Sequence, residues 1–319
     1  MAATSTPLSE PLPDVLADPL ASARPSSLWR DTLRNILRQR SAIFGVTVLV
    51  FLILVAIFAP VIATHAPNQP LIGIEPGARP RLPPCIHLLG CPEDQQQYLM
   101  GLDGNARDVF SRVVYGAQVD LQVGFLTVGF AIILGTLIGA IAGYAGGSSD
   151  NLLMRVMDVV LAFPSLLLAI AIVTVLGPGL INAQLAIGIV AIPVYARIMR
   201  SSVLSIREQD YVTASRALGE SGGGILRRRI LPNALTPLIV AGTLGIGGAI
   251  LDVAALSFLG LGAQPPQAEW GSMIGIERNS VFAAPHLILF PGLAIVLTVL
   301  AFNLLGDGIR DALDPRLNR

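Results

Sequence analysis

Lysine is missing altogether: all 21 basic side chains of this 319-residue chain are arginine. A Walker A phosphate loop needs a lysine to reach the β and γ phosphates of a bound nucleotide, so that ATPase site is excluded from this polypeptide. Charge of either sign is scarce, at 13% of residues against about a quarter in soluble domains. The acids balance the arginines to a formal net charge of zero, which removes the overall basic bias that a nucleic-acid partner would ask for. No apolar core stands within the first forty residues, so no cleaved signal peptide is expected. Cysteine is limited to Cys85 and Cys91. What fills the chain instead is apolar: 53% hydrophobic residues and a mean hydropathy of +0.68, the composition of an integral membrane protein.

The apolar runs divide the chain. Residues 1–27, rich in Pro, Ala and Ser, have too little apolar content to fold and are expected to form a disordered tail. Over 28–40, Trp29, Leu33, Ile36 and Leu37 recur at helical spacing while Arg30, Arg34 and Arg38 take another face. This predicts an amphipathic helix lying in the membrane interface, with a basic flank anchoring the next span as the plainer alternative. Residues 41–63 carry no charge and are long enough to cross a hydrocarbon core of about 30 Å at about 1.5 Å per residue. Residues 64–118 turn polar and proline-rich and read as the largest loop on the opposite side. A second crossing lies within 121–149, where Gly124, Gly129, Gly135, Gly139 and Gly143 permit close helix contact.

Residues 159–196 are uncharged and too long for one helix. The sequence LGPG at 176–179 divides them into a hairpin of crossings three and four, with Pro164 and Pro193 as sites for kinks. Residues 234–259 form a fifth span interrupted only by Asp252, 260–284 a second outer loop, 285–306 a sixth span and 307–319 a tail. The predicted fold class is therefore an all-α integral membrane protein with six transmembrane helices, five of them within 119–306. Sixteen arginines fall on the side of the two termini against five on the other, so both termini and the long polar segment 201–232 are expected in the cytoplasm.

That segment is the first candidate functional region. It carries Arg207, Arg216 and the run Arg227 to Arg229, with glycines at 222–224. Leu204, Tyr211, Ala214 and Leu218 can share one face of a short helix, and Gly219 can end it in a positive-φ conformation. Such a helix suits a groove on a soluble partner; a basic loop resting on anionic lipid is the plainer alternative. Two acids touch the spans. Asp158 follows Arg155 by three residues, which predicts a local helical ion pair. Asp252 has no such neighbour and, like Asn303 in the sixth span, is a candidate for lining a transport path or for packing against another subunit. Cys85 and Cys91 allow a disulfide, two free thiols, or a metal site with His87 that is short of ligands.

Four stretches carry a resemblance: MGLDGNARDVFSRVVYGA at 100–117; YVTASRALG at 211–219 with RILPN at 229–233; LSFLGLG at 256–262 with QPP at 264–266 and EWG at 269–271; and NLLGDGIRDALDPR at 303–316. In this order and spacing the chain resembles the permease subunits of bacterial ABC importers, in particular the C-type subunit of the dipeptide, oligopeptide and nickel branch. The resemblance covers about residue 100 to the end. It implies a type I importer permease fold and a noncatalytic subunit that moves dipeptides or oligopeptides across the bacterial inner membrane by alternating access. Its implied partners are a second permease subunit completing a heterodimer, two nucleotide-binding ATPase subunits, an extracytoplasmic substrate-binding protein and membrane lipid. No cofactor or metal is expected on this chain; ATP and Mg ions belong to the ATPase subunits. Docking of those subunits is carried over to Tyr211, Thr213, Ala214, Ser215, Arg216, Leu218 and Gly219. The family's motif usually opens with Glu-Ala-Ala, and here Thr213 stands in place of the acid.

Nickel or glutathione-like solutes are the alternative cargo within that branch. A secondary transporter with Asp252 or Asp158 as its proton site is a different class, and no internal repeat of the kind such proteins show is visible. A membrane scaffold or sensor without transport is a third.

Overall fold

The computed structural model describes residues 39–313. The tail read at 1–27, nearly all of the interfacial helix read at 28–40 and the end of the 307–319 tail lie outside the described residues. Eleven α-helices follow in order among these: α1 (Arg40–Ile57), α2 (Ala59–Ile62), α3 (Val109–Ala145), α4 (Gly147–Leu161), α5 (Ser165–Leu176), α6 (Leu180–Arg207), α7 (Asp210–Ala217), α8 (Gly222–Ile225), α9 (Leu231–Phe258), α10 (Trp270–Glu277) and α11 (His286–Leu313). No strand forms among the described residues; pairing of extended backbone is confined to isolated bridges, Cys85 with Tyr98 and Leu102 with Asp108. The all-helical class expected from the sequence is what the chain adopts.

Five helices, α1, α3, α6, α9 and α11, are long and apolar enough to cross a membrane, and the bent pair α4 and α5 makes a sixth span if counted as one. Their outward surfaces are apolar. Phe51, Ile133, Leu137, Val175, Ile181 and Val296 are all more than half exposed, as side chains solvated by lipid tails are, whereas a water-soluble protein rarely shows so continuous an apolar surface.

The centre of the bundle is the pairing of α3 with α6, the most extensive in the molecule. Gly135, Gly139 and Gly143 recur every four residues along one stripe of α3, and each lies against α6. A β-carbon on Gly135 would stand 2.7 Å from Tyr195 Cβ, one on Gly139 would meet the carbonyl of Ala196, and one on Gly143 would lie 3.0 Å from the carbonyl of Arg200. The helices are thus packed at backbone distance. In a membrane, where apolar side chains gain nothing by leaving lipid for protein, this close van der Waals packing is a main source of association. Gly129, on the same helix, has open space beside it. α9 packs across both α3 and α6, and α11 lies between α9 and α1.

Besides the tail read from residue 307, which is helix as far as Leu313, three expectations need correction. The second crossing starts at Val109, inside the stretch read as loop, because Asp108 caps the helix by accepting from the Ser111 N–H at 2.9 Å. Arg112 and Asp120 had hidden that start by interrupting the uncharged run, yet both are buried, at 1% exposure each. The hairpin read at 159–196 does turn at 176–179, but its first arm is not a straight crossing. α5 has 12 residues, about 18 Å of helix, which is short of the hydrocarbon thickness. Residues 159–161 belong to α4, and α4 and α5 meet at 91°. Pro164 occupies the N-cap position of α5 in an extended conformation; a proline ring has no N–H to continue the preceding helix and clashes with its last turn. Third, Asp158 does not pair with Arg155. Its Oδ1 accepts from Arg197 of α6 at 2.6 Å, and Asp150 takes both Nε and Nη2 of Arg200 at 2.5 and 2.6 Å. α4 is therefore held to α6 by charge pairs.

The long loop between α2 and α3 has a small core of its own, Leu71, Tyr98, Leu102 and Ala106. The Tyr98 hydroxyl donates to Glu75 at 2.7 Å, and burial, together with that neighbouring carboxylate, pushes its phenol well above the ordinary value.

Replacing Gly139 by alanine is expected to lower the thermal unfolding midpoint of the purified chain, because the added carbon meets backbone that cannot rotate away; overpacking of this sort costs about 1–3 kcal/mol. Gly129→Ala, with room beside it, is expected to leave the midpoint unchanged or raise it. Equal midpoints for the two variants in a detergent melt would contradict the seam.

Candidate coupling surface and transport path

The polar segment folds as a compact helical unit at the arginine-rich end. α6 runs on to Arg207, two residues turn the chain, and α7 occupies Asp210–Ala217. Leu204 therefore belongs to α6 and does not share a face with the residues of α7, contrary to the sequence reading, because the turn at Glu208 and Gln209 resets the helical phase. Val212 faces inward and is fully buried, whereas Leu218 is 88% exposed and Tyr211 is 44% exposed. With Ala214, also exposed, they form a short apolar stripe at positions three and four residues apart.

The end of α7 is closed by backbone geometry. Gly219 sits at φ +82, its N–H donates to the carbonyl of Arg216 at 3.1 Å, and the N–H of Glu220 donates to Ser215 at 3.2 Å. These two bonds make a Schellman motif, which satisfies carbonyls left open at a helix end and favours glycine at the left-handed position. Ser221 then caps α8 by accepting from the Gly224 N–H at 3.3 Å. A π turn at Leu226–Ile230 leads into α9. It buries Ile225 and Ile230, five residues apart, on the same side, which an α-helix would not do, and leaves Arg227, Arg228 and Arg229 exposed. Asn233 stitches the unit together by donating to the Arg229 carbonyl at 2.8 Å and to the Tyr211 hydroxyl at 3.4 Å. The hydroxyls of Thr213 and Ser215 donate backward to the carbonyls of Gln209 and Tyr211; Arg216 is exposed.

Asp252 lies on α9 and lines an open cavity of about 220 Å³, whose walls include Phe163 and Ser165 at the α4–α5 break and Ile187, Val190 and Val194 of α6; Phe163 and Val194 are themselves about half exposed. Asn303 is exposed on α11 and does not line this cavity, so the two candidate path residues are not brought together.

At the opposite end lies a polar cluster that the sequence reading quoted within its motifs without assigning it a role. Asp103 accepts from the N–H groups of Asn105 and Arg107 and from Arg107 Nε at 2.7 Å. Arg112 donates to the carbonyls of Pro67, Pro266 and Gln267 at 2.9, 3.1 and 3.3 Å, fastening both outer loops to α3. Glu277 joins the first of those loops to α10 by accepting from Arg81 and from the Gly104 N–H. The Trp270 indole donates to Val113 and its backbone N–H to Asp120. Glu269 caps α10 by accepting from the Gly271 and Ser272 N–H groups at 2.9 and 2.7 Å. The local signs were legible: Asp103 and Arg107 are spaced as a helical ion pair, and Asp108 with Ser111 as a cap. The long-range partners were not. In the first loop the Cα atoms of Cys85 and Cys91 lie 5.4 Å apart, within the range of bridged cysteines. His87 Nε2 instead bonds the Gln95 carbonyl at 2.8 Å.

With this geometry in view, residues 135–319 match the family described as the inner membrane component of binding-protein-dependent transport systems. The chain belongs to this family. Residues 27–84 also match the N-terminal transmembrane domain of oligopeptide transport permease C. The permease is 46% identical over 291 residues, 91% of each chain, to a dipeptide transport system permease protein of Alkalihalophilus pseudofirmus. It is 43% identical over 91% of each chain to a di/tripeptide transport system permease protein of Pseudomonas aeruginosa, and equally so to a glutathione transport system permease protein of Escherichia coli. Among solved structures, an inward-facing MetNI methionine ABC transporter chain superposes with a TM-score of 0.53 at 19% identity, covering 64% of this chain and 98% of that one; this likeness is one of fold. The permease is thus a multi-pass protein of the bacterial inner membrane with an ABC importer fold, and membership of the family implies ATPase and substrate-binding partners.

Burial pushes the Glu269 carboxyl above its ordinary value of 4.5, against the opposing pull of its two backbone hydrogen bonds. A raised folded-state value means that the native chain holds a proton the unfolded chain has released, so this group's contribution to stability is full below 4.5 and is lost as pH rises through the folded value. Glu269→Gln is expected to flatten the fall of the melting midpoint with rising pH. Parallel pH profiles for the wild type and the variant would rule this out.

Proposed function

We propose that this permease is a noncatalytic subunit of an ATP-driven importer of short peptides. In this reading it pairs with a second, different permease subunit, receives substrate from an extracytoplasmic binding protein, and takes its energy from two ATPase subunits that dock beneath the pair on the cytoplasmic side, with α7 as this chain's contact. The observation that carries the reading is the exposed apolar stripe of Tyr211, Ala214 and Leu218 at the arginine-rich end. It stands on a helix whose exit is fixed by the Schellman turn at Gly219. An apolar stripe on a short helix is what a groove on a partner reads, and the arginine bias places that end inside. The names of the most similar relatives favour peptide as cargo, with a glutathione-like tripeptide as the second reading. ATP and Mg are assigned to the partners, since this chain has no lysine for a phosphate loop.

Replacing Leu218 by aspartate, or Gly219 by tryptophan, is expected to leave the chain in the membrane while substrate uptake and substrate-stimulated ATP hydrolysis fall on the order of tenfold or more, the size of effect produced by removing an interface hot spot. Gly219→Trp acts in two ways: it forces a side chain into a left-handed conformation, and it adds bulk beside the stripe. Normal uptake by stably inserted Gly219→Trp protein would sink the docking assignment.

We further propose that Cys85 and Cys91 are disulfide-bonded on the outer side, where the compartment permits it, closing a small hairpin in the first loop. Mass spectrometry of unreduced, alkylated protein is expected to find neither thiol labelled; both alkylated without reductant would reject the bridge.

A further inference from the structure

Asp252 is a carboxylate on a membrane-spanning helix with no hydrogen bond or ion pair among the described residues. A charge in that position is costly unless it meets a partner or a water-filled path. None is in place among the described residues. There is no lysine anywhere in the sequence, and Arg197, three residues beyond the cavity-lining Val194 on α6, is engaged by Asp158 at 2.6 Å. What Asp252 faces is space: about 220 Å³ walled by Phe163, Ile187, Val190 and Val194, with the Ser165 hydroxyl as the other side-chain polar group of the lining.

The position is as informative as the chemistry. Ile187 and Val194 lie seven and fourteen residues in from the start of α6, and Asp252 six residues in from the end of α9. At 1.5 Å per residue these put the cavity about 9 to 21 Å along the two helices from their ends, within segments long and apolar enough to span a membrane. One wall is the 91° break between α4 and α5, and interrupted helices are where membrane transporters build their substrate sites. The volume falls short of the roughly 300 Å³ at which pockets enclose a whole small molecule, but it suffices for one end of a chain.

We propose that Asp252, with the Ser165 hydroxyl across the helix break, forms a binding site for a primary ammonium group, such as the amino terminus of a short peptide, within the membrane-spanning part of the transport path. A single carboxylate supplies the countercharge, the hydroxyl accepts one further N–H, and the apolar walls receive the carbon chain that carries the ammonium. The inference rests on the importer reading for its cargo, but not for its electrostatics.

The test separates the two. In the full importer complex in membrane vesicles, a thiol introduced on the cavity wall by Ala191→Cys is expected to react about tenfold faster with a cationic trimethylammonium methanethiosulfonate than with an anionic sulfonate reagent, since a cleft of one sign concentrates counter-ions by at least that factor. Asp252→Asn in the same background is expected to abolish the preference and Asp252→Glu to retain it. A free dipeptide should slow labelling while its N-acetylated form does not. Protection by a simple alkylamine as well would show that the ammonium alone is recognised, and protection by the dipeptide alone that the peptide amino terminus is. If Ala191→Cys fails to insert, Val190→Cys on the same cavity wall serves in its place. An unlabelled thiol, a preference that survives Asp252→Asn, or equal protection by free and N-acetylated dipeptide would overturn the proposal. ATP-dependent peptide uptake by the wild-type complex is scored separately: its absence alongside an intact labelling preference would discard the importer reading and leave the ammonium site standing.

Discussion

Backbone proximity between α3 and α6 governs the rest of this molecule. Gly135, Gly139 and Gly143 bring α3 against the carbonyls and β-carbons of α6, and almost everything with a role is then positioned from α6. Its outer half supplies one wall of the Asp252 cavity. Arg197 and Arg200, on the part of α6 that meets the seam, hold α4, the first arm of the broken pair, in place. Its inner end leads directly into α7. In water such a helix pair would be driven together by apolar area; in lipid that gain disappears, and the association depends on how closely two backbones can approach. Three small residues spaced every fourth position are thus the condition for the cavity and the coupling helix to have fixed positions at all.

The two ends of the bundle solve the problem of polar groups differently. At the end built from the long loop and α10, charges are buried and paired. Arg112 serves three carbonyls of two loops, and Asp103, Asp108 and Glu269 are each taken up by backbone N–H groups. Buried polar groups satisfied in this way fix one arrangement, since any other leaves a donor or acceptor stranded. At the arginine-rich end the charges are mostly exposed, and the order comes from caps and turns, the Schellman motif at Gly219 and the π turn before α9. Asp252 stands apart from both patterns, a carboxylate that neither a backbone amide nor a guanidinium satisfies among the described residues.

Much of this was legible in the sequence. Hydropathy located the apolar spans because lipid demands uninterrupted apolar length, the glycine pattern of residues 135–143 marked a close contact, and Gly219 marked the end of a helix because few other residues adopt its backbone. What escaped had a common physical origin in tertiary partners. Arg112 and Asp120 look like loop residues until their buried acceptors and donors are known. Asp158 has a plausible neighbour in Arg155, and only the packing of α4 on α6 shows that Arg197 is the one that reaches it. An uncharged run gives length but not direction, so the right-angled break at Pro164 was read as a possible kink within a straight span. The cavity facing Asp252 was illegible for the same reason, since its walls come from three separate parts of the chain.

One consequence follows from the short connections around α7. Only Glu208 and Gln209 separate it from the 28-residue α6, and four residues separate it from α8, which the π turn at Leu226–Ile230 joins directly to α9. Even fully extended, three residue steps reach only on the order of 10 Å, and the bonds of Asn233 to Arg229 and Tyr211 take up slack on the other side. A handle with so little rope cannot swing freely: a displacement of α7 by more than a few ångströms must drag the inner ends of α6 and α9 with it, and those are the two helices that contribute Ile187, Val194 and Asp252 to the cavity.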